Sequence, residues 1–336
     1  MKRKQTVRLL DVAAAAGVDA SVVSRVLSGD DRLSIRDETR QRILETATRL
    51  DYRPNTAART LKTARTMAIG MIVPDLANVN YATIAGGAED RAARAGYTIL
   101  VASGFATERL PDLHGRIDGL LVGMATTETP RLGDFGSGIP AILVNRREPC
   151  GIPSVTVDDE AGAALATEHL LAIGHREIGH VAGPQNADTG RRRLRGYERA
   201  LEAAGVEPRD ALVVETSFDE AGGHVAATRL LGLTPRPTAL FVGNVRAALG
   251  AMAAAGRLGL RIPDDVSIVG FHDAPFAAYL DPALTTVRMP LVEMGRQAAD
   301  HLLTLIGGTT VDDLMVGTPP ELVVRASTAP PARSAS

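Results

Sequence analysis

Residues 17–30, GVDASVVSRVLSGD, place a short helix of alanine, valine and serine around a single arginine, close to the start of the chain. Just before it, LLDVAAAAGV (residues 9–18) gives another short apolar helix that stops at Gly17, a residue able to take the left-handed conformation that turns the chain. Asp19 then stands where an N-cap is wanted. Two short helices joined through a glycine turn make a helix-turn-helix. In the second helix Val22, Val23, Val26 and Leu27 form the packed side and leave Ala20, Ser21, Ser24 and Arg25 facing outward. Small side chains permit close approach to a DNA groove, and serine bonds phosphate or base edges. Arg25 can chelate O6 and N7 of a guanine, which discriminates by about 1–3 kcal/mol against the wrong base.

Downstream, LSIRDETRQRILETATRLDY (residues 33–52) predicts a third helix, opened by a capping box of Ser34 with Asp37 and packed through Ile43, Leu44, Ala47 and Leu50. In RPNTAARTLKTART (residues 53–66), Pro54 ends that helix and Asn55 can cap a new one of about two turns, too short to be stable alone in water. Residues 1–65 carry fourteen Lys and Arg against eight Asp and Glu, whereas the whole chain has a net charge of −2. A basic head on an acidic body points to a polyanion as partner of the head.

From Met67 the chain alternates strand-like and helix-like runs. MAIGMIV (67–73), YTILVA (97–102), GLLVGM (119–124), AILVN (141–145), EIGHVAG (177–183), ALVVET (211–216), TALFVGN (238–244) and VSIVGF (266–271) read as strands, separated by helical stretches such as EAGAALATEHLLAI and RRRLRGYERALEAAG. That rhythm predicts parallel sheets covered by helices, and the number of strands predicts two similar lobes. The lobes are expected to exchange chain, with TTVRMP and its following helix returning to the first lobe and ELVVRAS to the second. In open parallel sheets ligands bind beyond the carboxyl ends of the strands. This singles out Asn78, Asn80, Tyr81, Asn145, Arg146, the 191–193 arginines, Phe218, Asn244, His272 and Asp273. Asparagine and arginine side chains can fix hydroxyls or carboxylates, and Tyr81 and Phe218 can stack on a ring.

Several classes are disfavoured. Cys150 is the single cysteine, so no intramolecular disulfide or cysteine-based metal site is expected. Arg8 and Asp11 break the first apolar run and no later run reaches membrane-spanning length, so a cytoplasmic protein is expected. No GxGxxG follows a strand, and no GxxxxGK[ST], GxSxG or HExxH occurs. His169, His175 and His180 straddle a helix, a turn and a strand, which is not a metal face. Neither an enzyme nor a cofactor is expected.

The segments DVAAAAGVDASVVSRVLSG, ETRQRILETATRLDYRPNTAARTLKTART, AIGMIVPDLAN, VNRREP, GHREIGHVAGP, RLRGYERAL, IPDDVSIVGFHD and LTTVRMPLVEMGRQA resemble, in order, the lactose-repressor (LacI/GalR) family of bacterial transcription factors. The resemblance implies an α/β fold with an all-α helix-turn-helix domain at residues 1–54, a hinge helix and linker at 55–66, and a two-lobed periplasmic-binding-protein-like core at 67–329. Lobe one is expected at about 67–157 and 287–316, lobe two at about 158–286 and 317–329, and a flexible tail at 330–336. It further implies that Ala20, Ser21 and Arg25 read the major groove, with Ser24 beside them, and that the hinge helix bearing Asn55, Ala58, Leu61 and Lys62 orders on DNA. Leu61 takes the place of a leucine wedged into the minor groove, where unstacking a base step bends the duplex. Arg193, Asn145, Phe218 and Asn244 fall at effector positions.

The departures are Arg8 and Val22 where threonines are usual, His272 where a carboxylate is usual, Val245 in place of an Asp, and a short connection, FATERLPDLHG. That connection predicts a first lobe lacking a full second helix on one face. The arginines near 191, with His272, suggest an acidic effector. The expected protein is a homodimeric repressor on a near-palindromic operator, controlled by a sugar-like or acidic sugar effector. The alternative is a sugar-binding component of a transport system without DNA binding.

Overall fold

The structure, a computed structural model, describes residues 7–27, 30, 32–52, 65–103, 113–127 and 138–332. The chain divides into two compact units, Met1–Thr66 and Met67–Ser336. Asn55, Ala58, Leu61 and Lys62 of the expected hinge helix lie outside the described residues.

The first unit has α1 (Leu9–Ala16), α2 (Ala20–Leu27) and α3 (Asp37–Arg49). Gly17 adopts φ 66°, and its N–H and that of Val18 close onto α1 carbonyls, the stop that the sequence predicts. Val12, Ala13, Ala16, Val23, Val26, Ile43 and Ala47 form the core. Two expectations for α3 fail. The helix is capped at Arg36 rather than by a Ser34–Asp37 box, with Asp37 and Glu38 placing their charges on its positive first turn. Leu44 is 42% exposed, because the short α1–α2 pair covers only the Ile43 and Ala47 stripe.

The second unit holds two six-stranded sheets of like design. The first contains β1 (Ala68–Val73), β2 (Thr98–Ser103), β3 (Gly119–Val122), β4 (Ala141–Val144), β5 (Ser154–Thr156) and β11 (Leu314–Met315), in the order β11-β5-β4-β3-β1-β2. The second contains β6 (Ile178–Ala182), β7 (Val213–Glu215), β8 (Ala239–Val242), β9 (Ser267–Phe271), β10 (Thr285–Arg288) and β12 (Glu321–Val323), in the order β12-β10-β9-β8-β6-β7. All pairings are parallel except β12 on β10. Each sheet reverses its winding between its first and third strands, which opens a crevice at the carboxyl ends.

Six helices cover these sheets among the described residues: α4 (Val79–Arg94), α5 (Asp159–Ala172), α6 (Asp188–Ala203), α7 (Glu220–Leu231), α8 (Val245–Arg257) and α9 (Leu291–Ile306). They pack as α4 with α9, α5 with α6, and α7 with α8. Glycines allow the close crossings: a methyl at Gly295 would overlap the Ile84 carbonyl, and one at Gly250 the Glu220 carbonyl. Strand side chains alternate between faces. Ile69, Met71, Leu121 and Ile142 face the α4–α9 pair, whereas Ile72, Leu120, Val122 and Leu143 face the other way into a small cluster.

The chain exchange differs in detail from expectation. β10, the TTVR strand, stays in the second sheet beside β9, and only after it does α9 cross to pack on α4 in the first lobe. The turn at Met289–Pro290 carries the crossing, because Val287 is still paired with Phe271 of β9. ELVVRAS returns to the second lobe as expected, through β12. The residues that follow β12 are docked on the second sheet. Ser327 is fully buried, accepting from Thr285 N and donating to the Ile268 carbonyl, while the Ala329 carbonyl takes bonds from His175 Nε2 and Ser267 Oγ. Residues 333–336 lie outside the description.

Candidate functional site

In the first unit, Asp19 behaves as a cap: its carboxylate accepts from Ser21 N at 2.7 Å, and its carbonyl takes the Val22 and Val23 N–H groups. The Ser21 hydroxyl and N–H hold the Asp19 pKa below its usual value. The cap fixes the start of α2, and Val23 and Val26 bury one side of it. Ser21 and Arg25 are exposed, and Ser24 is half-buried. Ala20 departs from the outward expectation, being half-buried against the three-helix core. Arg25 is also held: its Nε donates to Asp30 Oδ2 at 3.0 Å, and Asp30 in turn receives the Arg32 backbone N–H. The sequence reading missed Asp30, a carboxylate that aims the arginine. Arg8 supplies no side-chain cap to α1; instead Asp11 accepts from Arg8 N at 2.7 Å.

In the second unit a cavity of about 260 Å³ opens at the carboxyl ends of both sheets. All seven residues expected at an effector site line it: Asn80, Tyr81, Asn145, Arg193, Phe218, Asn244 and His272. The same wall includes Thr126, Arg146, Thr189, Asp219 and Arg246. Asn78 and Asn244 do structural work as well, since each side chain caps a helix by accepting from the N–H two residues on. Tyr81 is mostly core: its ring is 5% exposed and its hydroxyl donates to the Gly123 carbonyl at 2.7 Å. Phe218 lies over Gly183, where any β-carbon would overlap its ring, and the Arg193 guanidinium is 5.3 Å from the ring centre.

Arg193 sits at the centre. It is 2% exposed, stacks on Phe271 at 4.2 Å, donates to Asp159 Oδ1 through Nε at 2.7 Å, and reaches the Gly243 carbonyl through Nη1 at 2.6 Å. Burial alone would raise the Asp159 pKa, but Arg192 and Arg193 outweigh it and keep the carboxylate charged. The sequence reading passed over Asp159, because a carboxylate in a run of VDDE looks like helix capping; Asp158 is the residue that caps.

His272 is fully buried and stands at φ 73°, a left-handed conformation matched by Asn145 at φ 60°. The two occupy corresponding places, each first after the fourth strand of its sheet. Such strained positions recur where side chains are aimed at ligands. The Asn80 amide lies 2.8 Å from His272 Nδ1, and Arg193 Nη2 is 3.4 Å from Nε2. Both neighbours present nitrogen donors and a neutral ring has one lone pair, so the shorter contact decides: Nδ1 accepts from the Asn80 amide N–H and Nε2 carries the proton. Burial first, then the Arg193 charge, holds the His272 pKa well below its ordinary value. His272 is therefore a neutral bridge between the lobes.

The arginines near 191 are engaged with the protein itself. Arg191 makes a two-oxygen contact with Glu148, and Arg192 binds Asp188 and Asp159. Arg195 is paired on the exposed face with Glu160. Arg191, Arg192 and His272 are thus not the groups that would receive an acidic ligand. His169, His175 and His180 have separate partners, in Thr328, in Thr238 with Ser267, and in the Phe241 carbonyl. No cluster of metal-ligating side chains occurs among the described residues. None of the described helices is long and apolar enough to cross a membrane.

Residues 8–55 match the family described as bacterial regulatory proteins, lacI family, and residues 167–328 match a periplasmic binding protein-like domain. The chain is 33% identical over 331 residues to catabolite control protein A of Priestia megaterium, covering 96% of this chain and 99% of that protein. Among solved structures, the lac repressor dimer bound to operator and the anti-inducer ONPF is 28% identical, with a TM-score of 0.81 over 97% of this chain and 100% of that one. The transcriptional regulator CelR–cellobiose complex is 32% identical, with a TM-score of 0.72 over 96% and 99% of the two chains.

Proposed function

The chain belongs to the LacI family of bacterial regulatory proteins, and on that premise we propose that it is a repressor whose grip on a near-palindromic operator is set by a sugar-like effector held in the cavity at the sheet ends. It is a DNA-binding transcriptional regulator, not an enzyme. The observation that carries the reading is the helix-turn-helix of residues 9–27 coupled in one chain to a two-lobed ligand-binding fold. A transport component has no use for the first of these, so that alternative is set aside.

Ser21, Ser24 and Arg25 are assigned to the major groove with Ala20 at the point of close approach, and Asn55, Ala58, Leu61 and Lys62 to the operator centre. Asn80, Tyr81, Asn145, Arg193, Phe218, Asn244 and His272 are assigned to the effector. A homodimer suits both a two-fold operator and the apolar side chains left exposed on the core, Leu100, Val101, Val225, Leu258 and Tyr279. The lac repressor crystallises as such a dimer on its operator, and CelR holds cellobiose. A regulator that works on chromosomal DNA is assigned to the cytoplasm. Effector binding would turn one lobe on the other and change the separation of the paired heads, and a coupling of about 1–3 kcal/mol suffices for regulation.

Fluorescence anisotropy with operator fragments recovered by genome-wide binding-site mapping tests the reading. Arg25→Ala should relax base preference by about 1–3 kcal/mol, and affinity should fall steeply with salt. A full-length protein with no preference for any mapped fragment over random duplex would overturn it.

A further inference from the structure

The guanidinium groups around the cavity are balanced by carboxylates, with one exception. Arg191 is bound to Glu148, Arg192 and Arg193 share Asp188 and Asp159, and Arg246 is held by Asp75 and Glu220. Arg146 has no carboxylate partner among the described residues. Its Nη1 donates to Thr189 Oγ1 at 3.0 Å, and its Nε reaches the Gly123 carbonyl at 3.4 Å. Yet the residue is only 6% exposed and lies on the cavity wall. A buried charge with neutral partners alone is costly, and folds keep one where a ligand completes the pair.

The surroundings sharpen the reading. Thr189 is in the first turn of α6, whose positive end adds to the field at Arg146. Asp219, a carboxylate on the same wall, is occupied as the cap of α7, accepting from Gly222 N at 2.7 Å, and its charge is answered by Arg246. Beside Arg146, the Oδ1 of Asn145 is buried with no hydrogen-bond partner. That oxygen needs a donor, which an anion cannot provide and a hydroxyl can. Consecutive residues thus present one unbalanced cation and one unfilled acceptor to the same cavity.

We infer that the effector is a hydroxylated anion, a sugar acid or sugar phosphate, whose charged group is bound by Arg146 while a hydroxyl donates to Asn145. The inference rests on the effector cavity proposed above and specifies its ligand. A planar guanidinium suits the two oxygens of a carboxylate or phosphate, and enclosure makes the contact strong.

Calorimetric titration of the full-length protein with matched pairs tests it: glucose and galactose against glucuronate, galacturonate, gluconate and glucose 6-phosphate. An anionic member should bind at least about tenfold more tightly than its neutral counterpart. Arg146→Gln should abolish that preference, and Arg146→Lys should keep part of it. The uronates and the phosphate ester separate the two sources of charge. Equal binding of neutral and anionic sugars overturns the inference while leaving the effector cavity standing; a bound sugar that never alters operator affinity defeats the regulatory reading instead. Should no sugar bind, melting in inorganic phosphate decides. Phosphate should raise the melting temperature of the wild type and not of Arg146→Gln, and the unliganded variant should melt above the unliganded wild type. Absence of the phosphate shift, or an equal shift in the variant, overturns the inference.

Discussion

The two lobes share a strand order but, among the described residues, not a covering. In the second lobe α5 and α6 lie on one face of the sheet and α7 and α8 on the other, so that Val181, Leu240, Val242 and Ile268 are enclosed by Ala226, Leu230, Ala248 and Ala251. In the first lobe α4 and α9 cover one face, and among the described residues the opposite face meets a small cluster around Ile117 and Ala125, with Leu113, Ile139 and Ile152 at its margin. The connection between β2 and β3 is the short one flagged by the sequence; residues 104–112 of it lie outside the description, and Leu113–Arg116 form a turn. Edge strand β2 leaves Leu100 53% and Val101 42% exposed. One buried cluster takes in residues of both lobes, among them Met71 and Ile142 of the first and Phe241 and Phe271 of the second.

That contrast can be broken at several points. The largest effect is expected at Asp159, which neutralises Arg192 and Arg193 inside the second lobe. Asp159→Asn should cost about 4 kcal/mol in urea unfolding, since it leaves buried guanidinium charge uncompensated. A cost below 1 kcal/mol would show that solvent reaches the pair.

Acid is next. Burial holds the His180 imidazole, stacked between Tyr197 and Phe241, down to a pKa of about 4. The unfolded chain therefore binds more protons than the folded one between pH 4 and 6.5. Its stabilising contribution is complete above about pH 6.5 and is lost as pH falls toward 4, on the order of 3 kcal/mol. Hydrogen exchange should find second-lobe amides opening first on acidification, and His180→Phe should flatten that dependence. Protection lost first in β1 and β3 would reverse the comparison.

Smaller still is the difference between paired truncations. Leu240→Ala in the thickly covered face should cost about 4 kcal/mol and Leu120→Ala in the thin one about 2, because a looser shell collapses more easily into the space vacated. Equal costs would mean that the thin face is as rigid as the thick one. Ser327→Ala should cost about 1–2 kcal/mol by leaving the Thr285 N–H without its acceptor, a check on the docked tail.

Much of this architecture was legible in the chain. Runs such as AIGMIV and ALFV announce buried parallel strands, and Gly17 and Asp19 mark the turn between α1 and α2 by local chemistry alone. Effector candidates converge because all but Arg193, which sits in the second turn of α6, follow a strand or open a helix at the same end of a sheet. What escaped was long-range or very short. β5 and β11 have three and two residues, too few for a periodic signal. The pairings of Arg193 with Asp159 and Arg191 with Glu148 join residues 34 and 43 apart, so a run of arginines looked available when its charges were already matched. Ser327 reads as loop because its partners, Ile268 and Thr285, are brought to it only by the finished sheet.

The exchange of helices has an outcome for assembly on the ribosome. The first sheet waits for α9 and β11, residues Leu291–Met315, before its inner face is sealed, although its first strand begins at Ala68. The second lobe owns most of its parts earlier and can close while the other stands open. A nascent chain halted near Pro290 would thus present a nearly finished half and a bare sheet, and holding chaperones should engage it there, on Ile84, Met71 and Ile142.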